Sequence, residues 1–377
     1  MKEYTIIASS TMGLESIVRD ECKELGFKDI QTFNGKVEFK GTLKDVIKAN
    51  LYLRCADRVF IKMGEFKAFT FEELFQHVKK INWSEFIEKN GEFPISWVSS
   101  VKCKLFSKSD IQRISKKAIV ENLKDVYDIE KFPENGAKFR IKIQGNKDVF
   151  NIMIDTSGEG LHRRGYRNLI NEAPLKETMA AALVKLTRWK GGERPFIDPM
   201  CGTGTIAIEA AMIARNIAPG ANRNFAGEEW KIIPRDLWVN ARDEAFSNED
   251  LDKEVRIYAS DIDGETIKVA IENAEKAGVE DDILFETKNF LELEAPSEKG
   301  CIVSNPPYGE RLLNDEKVER LYGLLGDILL RRFPKWSYYI ITSYKNFENS
   351  FGKKCTKNRK LYNGGIECHY YQYYGAR

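Results

Sequence analysis

Residues 195–216 read PFIDPMCGTGTIAIEAAMIARN. The apolar run ending at Asp198 reads as a strand, Gly202 and Gly204 as a sharp turn, and IAIEAAMIARN as a helix. Outward from this stretch, apolar strand runs alternate with helices: PFIDPM, VRIYASDID, ILFETKNF, GCIVSNPPY and YYIITS. Such alternation predicts an α/β fold, a mostly parallel doubly wound sheet across residues 193–377. Near the C-terminus Asn363-Gly364-Gly365 separates two alternating runs. That is a hairpin signal, so an antiparallel edge is expected to close the sheet.

Upstream the texture differs. In residues 1–65, YTIIAS and GKVEFKG read as strands and LESIVRDECKELGF as an amphipathic helix, with a further helix and strand behind them. This is a small α+β unit, ferredoxin-like in its order. Residues 66–155 make a second α+β unit, from the helix FEELFQHVKKINWSEFI to the strand pair KFRIKIQG and DVFNIMIDT. Residues 156–192 are a polar, glycine-bearing link, SGEGLHRRGYRN, and a connecting helix.

The 377 residues, 42% hydrophobic and 31% charged, suffice for two or three packed cores and exclude bulk disorder. No run approaches ~18 consecutive apolar residues, so no membrane span is expected. The opening MKEYTIIASSTMGLES lacks the charged flank and apolar centre of a secretory signal, and a cytoplasmic location is expected. The 59 Lys+Arg nearly balance the 57 Asp+Glu, for a net charge of +2. That excludes a polybasic coat protein but not a nucleic-acid enzyme whose charge is locally sorted. The 7 cysteines are scattered without a C-x-x-C pair, and the 3 histidines have no ligand spacing. Reduced thiols, no metal site and chemistry without histidine follow.

Three strand ends carry the candidate chemistry. At the first, Asp198-Pro199-Met200-Cys201-Gly202-Thr203-Gly204, the glycines let backbone amides approach a ligand. The same spacing fits a dinucleotide fingerprint or a plain tight turn; a P-loop is excluded because no Gly-Lys-Ser/Thr follows. At the second, Asp261 in RIYASDID can accept both hydroxyls of a ribose, although a strand-end Asp is also an ordinary structural feature. Asp263 is expected to cap the next helix. The glycines and Asp261 are far more than the usual ~20 residues apart, because an insertion of roughly Ala214 to Glu254, holding Trp230 and Trp238, intervenes.

The third is Asn305-Pro306-Pro307-Tyr308, directly after the strand CIVS. An exocyclic base amine is a poor nucleophile because its lone pair is delocalised into the ring. The Asn305 side-chain oxygen and the Pro306 carbonyl can each accept an N–H and draw that nitrogen toward tetrahedral geometry. Pro306 and Pro307 stiffen the backbone so that the acceptors are already aimed. Tyr308 can stack on the base, worth about 1–3 kcal/mol.

These residues resemble those of the S-adenosylmethionine-dependent methyltransferases that act on exocyclic amines of nucleobases. The resemblance implies a Rossmann-like methyltransferase domain in which residues 198–204 meet the methionine end of the cofactor and Asp261, with Ile262 beside it, holds the ribose. It implies that residues 305–308 hold the target amine. Where the family often has an Asp against the adenine amine, this chain offers Asn289, followed by Phe290.

Locally sorted charge adds to this picture. Lys102, Lys104, Lys108, Arg113, Lys116 and Lys117 form a stripe interrupted only by Asp110, with Phe106 among them. Such a stripe is the footprint expected for phosphate contacts, although a solvated helix face has the same composition. Arg163, Arg164 and Arg167 lie on the link, where they could touch substrate or join domains. A further cluster runs from Lys353 to Lys360.

The segment order, with HRRGYR, APLKE, the stretch from Ile217 to Trp230 and N-P-P-Y-G-E-R, resembles the THUMP-containing RNA methyltransferases and, within them, the bacterial 23S rRNA guanine-N2 methyltransferase family. The likeness covers essentially the whole chain. It implies S-adenosylmethionine as cofactor, RNA as partner with ribosomal RNA favoured, a THUMP unit at 66–155 that binds RNA, and no role for metal or membrane. Some members carry a second methyltransferase, whose activity is not carried over to this chain. A transfer-RNA guanine-N2 and a DNA adenine-N6 methyltransferase are the near alternatives, and the front end looks built for RNA. From other classes, an NAD-dependent oxidoreductase leaves N-P-P-Y unexplained, and a non-catalytic RNA-binding factor leaves the intact motifs unexplained. A monomer is compatible with the sequence.

Overall fold

The computed structural model describes residues 2–167, 175–307 and 315–375. The chain forms two compact units that interleave in sequence. The first comprises Met1–Ser10, Arg19–Leu161 and Arg223–Glu244, and the second Thr11–Val18, His162–Asn222 and Ala245–Arg377.

The first unit is built on β1 (Tyr4–Ser10), β2 (Lys28–Phe33), β3 (Lys36–Gly41), β4 (Ala56–Lys67), β5 (Ile95–Val101), β6 (Ile141–Asn146) and β7 (Val149–Asp155), with helices α1 (Glu15–Glu24), α2 (Leu43–Tyr52), α3 (Phe71–Lys79) and α4 (Lys108–Tyr127) between them. The sequence predicts two α+β units here, and all seven of their strands share one sheet, in the order β2-β3-β1-β4-β7-β6-β5. The join is β4, which pairs with β1 through Ala56–Ile61 and with β7 through Phe60–Lys67. A twelve-residue strand is long enough to template both halves, and which strand lies on each of its edges leaves no local mark. Side chains buried from β1, β3 and β4 include Ile6, Val37, Phe39, Val59 and Ile61.

The insertion noted in the sequence has a place in this unit. Its residues 223–244 carry Trp230, which stacks on Phe139 with centroids 4.9 Å apart and meets Phe86 edge-on. The Trp230 indole N–H donates to the Lys138 carbonyl at 3.2 Å, and the Gly227 N–H donates to the Thr156 carbonyl at 3.0 Å. The expected link 156–192 is correspondingly divided, with residues 156–161 in the first unit and 162–192 in the second.

The second unit contains α5 (Glu177–Thr187), β8 (Phe196–Asp198), α6 (Thr205–Ala214), β9 (Ile257–Asp261), α8 (Gly264–Ala277), β10 (Ile283–Thr287), β11 (Cys301–Ser304), α9 (Asp315–Arg332), β12 (Ser337–Thr342), α10 (Phe347–Phe351), β13 (Lys357–Asn363) and β14 (Ile366–Tyr373); α7 (Arg235–Ser247) runs out of the first unit into it. Strand order is β10-β9-β8-β11-β12-β14-β13. All pairs are parallel except β12–β14 and the hairpin β13–β14, which is the doubly wound sheet with an antiparallel edge. Helix α6, apolar apart from Thr205 and Glu209, is buried along nearly its whole length, as a central helix must be. A further core gathers Ile302, Tyr322, Leu325, Phe333, Trp336 and Ile340.

Sequence order reverses between β8 and β11. In an open α/β sheet the crevice outside the carboxyl ends at such a reversal is where ligands bind.

Candidate active site

Three neighbouring strands, β9, β8 and β11, end at the three motifs. Asp198 ends β8 in register with Ala259 of β9, and Ile197 pairs with Ile302 of β11, so Asp261, Asp198 and Asn305 come out along one edge of the sheet.

The glycine turn is fastened down by several hydrogen bonds. The Cys201 N–H donates to the Ser260 carbonyl and the Gly204 N–H to the Cys201 carbonyl, both at 2.9 Å. Asp261 receives the Gly202 N–H on one carboxylate oxygen at 2.9 Å and the Asp263 N–H on the other at 3.1 Å. It is therefore a clamp on the turn as well as a strand-end acid, with Ile262 exposed beside it. The two glycines differ in role. At Gly204, φ is +81° and a Cβ would press on Ala270 and Phe285, so packing demands glycine there. At Gly202, φ is +51° and nothing lies within 4 Å of where a Cβ would stand, which leaves the turn open to a ligand. Pro199, Met200, Cys201 and Thr203 complete the loop, with Met200 packed half-buried against the core of the second unit.

Asp198 is fully buried, and neither of its oxygens has a hydrogen-bond partner among the described residues. Burial is the largest cause holding its pKa well above the ordinary carboxylate range; the nearby Met200 N–H opposes this and the charge of Asp261 adds to it. A group raised in the folded state contributes stability below its unfolded pKa of about 3.9 and loses it as pH climbs through the folded value. Asp198→Asn is therefore expected to raise the melting temperature, and the gain is expected to grow between pH 5 and pH 8. Melting curves of both proteins at the two pH values check this, and an equal difference at each would show that Asp198 does not titrate as described.

At the end of β11, Asn305 presents its side-chain oxygen buried and without a partner among the described residues. Pro306 is buried and Pro307 half-buried. Tyr308 lies outside the described residues. The Pro307 carbonyl accepts a hydrogen bond from the Tyr322 hydroxyl at 3.3 Å, and that hydroxyl also meets Thr342 Oγ1 at 2.7 Å. With Pro307 tied to α9 and β12, the Pro306 carbonyl is the backbone acceptor beside Asn305 that this brace leaves out.

After β10, Asn289 caps a short 3-10 turn by accepting the Leu291 N–H at 3.0 Å, and Phe290 packs partly buried against the core. Asp263 caps α8 as expected, accepting from the Glu265 N–H and the Thr266 hydroxyl.

Sequence reasoning missed Asn273. It is 1% exposed, and its amide donates to the Thr203 carbonyl at 3.1 Å, holding the turn from α8. The available signal was a polar residue on the apolar stripe of Ile267, Ala270, Ala274 and Ala277.

The link arginines separate. Arg163 is exposed. Arg164, expected among RNA contacts, is instead buried and paired with Glu209 of α6 at 3.2 Å; Tyr166 donates its hydroxyl to the same carboxylate at 3.2 Å. Arg167, also expected there, turns inward onto the Thr203 and Thr205 hydroxyls. In the first unit Lys102, Lys104, Lys108, Arg113 and Lys117 are exposed, as is Phe106 at 80%. Arg113 pairs with Asp110, and Lys116 is held by Glu134, the Phe93 carbonyl and the Phe93 ring. No cluster of three metal-ligating side chains occurs among the described residues, and no helix among them is long and apolar enough to cross a membrane.

A glycine turn, a strand-end carboxylate and an N-P-P corner come together on adjacent parallel strands of a Rossmann-like sheet, at the edge where such sheets bind ligands. Residues 164–372 match the family model described as RMKL-like, methyltransferase domain, residues 5–60 the RlmL ferredoxin-like domain, and residues 68–155 the THUMP domain. The chain belongs to the RMKL-like methyltransferase family. It is 48% identical over 376 residues to "Putative RNA methyltransferase YpsC" of Bacillus subtilis (strain 168), covering 99% of this chain and 97% of that protein. It is 32% identical to the ribosomal RNA large subunit methyltransferase K/L of Desulfotalea psychrophila, covering 97% of this chain but 52% of that longer protein. The crystal structure of "SMU.472, a putative methyltransferase complexed with SAH" superposes with a TM-score of 0.93 at 42% identity, covering 100% of this chain and 99% of that one.

The cofactor is accordingly S-adenosylmethionine. The residues present fit it: open space over Gly202, a buried carboxylate at Asp198 without a hydrogen-bond partner among the described residues, and a clamped acid at Asp261.

Proposed function

We propose that the protein methylates the exocyclic N2 amine of a guanine in RNA, with 23S ribosomal RNA favoured as substrate. The observation that carries this reading is the Asn305 carboxamide oxygen, buried and without a partner among the described residues at the end of β11. A buried acceptor left unmet costs about 1–3 kcal/mol, and a base amine is the donor that its neighbours, a braced proline pair and the glycine turn, suit.

Bound S-adenosylmethionine supplies an activated methyl group on a sulfonium. The protein's part is positioning. Asn305 Oδ1 and the Pro306 carbonyl accept the two amine hydrogens and aim the nitrogen lone pair. The Tyr322 hydroxyl, through the Pro307 carbonyl, fixes the backbone that carries them. Once the nitrogen has four substituents its extra proton is acidic, so no separate base is required. Residues 198–204 take the methionine end and Asp261 the ribose; Ile262, Asn289 and Phe290 line the adenine side. Lys102, Lys104 and Lys108 beside the exposed Phe106 supply phosphate contacts and a base platform.

The test is transfer of labelled methyl groups to ribosomal RNA, transfer RNA and duplex DNA, followed by digestion to nucleosides. N2-methylguanosine from ribosomal RNA is expected, at a rate that falls steeply with added salt because phosphate contacts release counterions. N6-methyldeoxyadenosine confined to DNA would overturn the reading, and N2-methylguanosine confined to transfer RNA would move it to the other RNA.

A further inference from the structure

A zwitterionic amino-acid group ends the cofactor, and each of its charges needs a partner once it leaves water. For the ammonium, Asp198 is a buried carboxylate without a hydrogen-bond partner among the described residues. For the carboxylate, the turn itself offers no side-chain cation, since residues 198–205 read DPMCGTGT.

We propose that Arg167 binds the carboxylate of the cofactor's amino-acid end; this rests on the reading that residues 198–204 hold that end. The Arg167 guanidinium lies over the far side of the turn, on the hydroxyls of Thr203 and Thr205, either side of Gly204. Its other nitrogen reaches the Leu175 carbonyl at 3.3 Å and Glu177 at 3.4 Å, and Thr203 is likewise 3.4 Å away. These three contacts sit at the long end of hydrogen bonding and only the one to Thr205 is close, so in turning to a better acceptor the guanidinium gives up one close contact and three weak ones. A carboxylate offers that acceptor, since a guanidinium meets it with two parallel N–H bonds. Glu177, 4% exposed in the first turn of α5, pairs with the arginine and holds it in place before the ligand arrives. Arg167 thus belongs to the cofactor and not, as its sequence neighbourhood suggests, to RNA.

The assignment makes a statement about ligand choice. The site should tell S-adenosylhomocysteine from S-adenosyl-3-thiopropylamine, the same molecule without its carboxylate, and the discrimination should reside in one side chain. Calorimetric titration of the full chain with both compounds tests it. Arg167→Met is expected to weaken S-adenosylhomocysteine by about 10–100-fold, the range for losing hydrogen bonds between charged groups, and to leave the decarboxylated compound nearly unaffected. Arg167→Lys, which keeps the charge but loses the fork, is expected to retain part of the preference, and it carries the test should the Met variant fold poorly. Equal weakening of both compounds would reduce Arg167 to a structural part and overturn the assignment. A wild-type protein that binds neither compound would overturn the cofactor-site reading itself, and this assignment with it.

Discussion

Asn305→Ala is expected to lower kcat for RNA methylation by about 10²–10³-fold, the cost typical of losing one aimed hydrogen-bonding group at a reacting centre, while S-adenosylhomocysteine binds as before. Asn305 Oδ1 is buried and meets no donor among the described residues. Alanine removes that oxygen without leaving a charge behind and without touching the glycine turn, Asp261 or Arg167. The variant should therefore melt at the wild-type temperature or slightly above it, because the folded protein sheds an unsatisfied acceptor. Reduced turnover, intact cofactor binding and intact stability together distinguish an amine clamp from a packing residue, whose loss would lower the melting temperature first. Single-turnover methylation, calorimetric titration with S-adenosylhomocysteine and thermal melting on the same preparation measure the three. An Asn305→Ala enzyme that turns over like the wild type would end the account of these motifs.

Much of the second unit was legible because its signals are local. Each strand of the parallel sheet is a short apolar run ending at a chemically distinctive residue, and Asn363-Gly364-Gly365 marks the hairpin between β13 and β14. The first unit was legible in its elements but not in their assembly. Whether β4 ends one sheet or joins two halves depends on hydrogen bonds along both its edges, to β1 and to β7, and no residue of β4 records them. The insertion shows a related limit: Trp230 reads as an apolar residue anywhere, and only the packed rings of Phe86 and Phe139 reveal why it is a tryptophan. At the site, the strand ends were predictable from residue type, whereas the brace from Tyr322 and the clamp from Asn273 were not, since both act from helices distant in sequence. HRRGYR stays ambiguous in the sequence for a simpler reason. Three arginines within five residues look like a phosphate-binding cluster, yet alternate side chains face opposite ways, leaving Arg163 out and Arg164 and Tyr166 in.

That inward pair leads to the second large effect. Arg164→Met and Glu209→Met are each expected to cost about 3–5 kcal/mol of folding stability, the range for removing one member of a buried ion pair. The two side chains are 2% and 0% exposed, so solvent screening does little to soften the loss. Burial opposes the Arg164 charge, but Glu209 beside it wins and holds the guanidinium's pKa above its usual value; taking Glu209 away leaves a cation that no accessible pH can discharge. Tyr166, whose hydroxyl also donates to Glu209, loses its acceptor at the same time. Because the charges compensate one another, the double substitution to methionine at both positions should recover much of the loss, giving a coupling energy well outside additivity. Urea denaturation of the four proteins measures that cycle. The pair also ties the chain just before Arg167 to α6, the helix that opens at Thr205, so the single variants should weaken S-adenosylhomocysteine binding even at temperatures where they remain folded. Two single substitutions that each cost less than about 1 kcal/mol, as exposed pairs do, would mean that water reaches Glu209 and that this helix is held by packing alone.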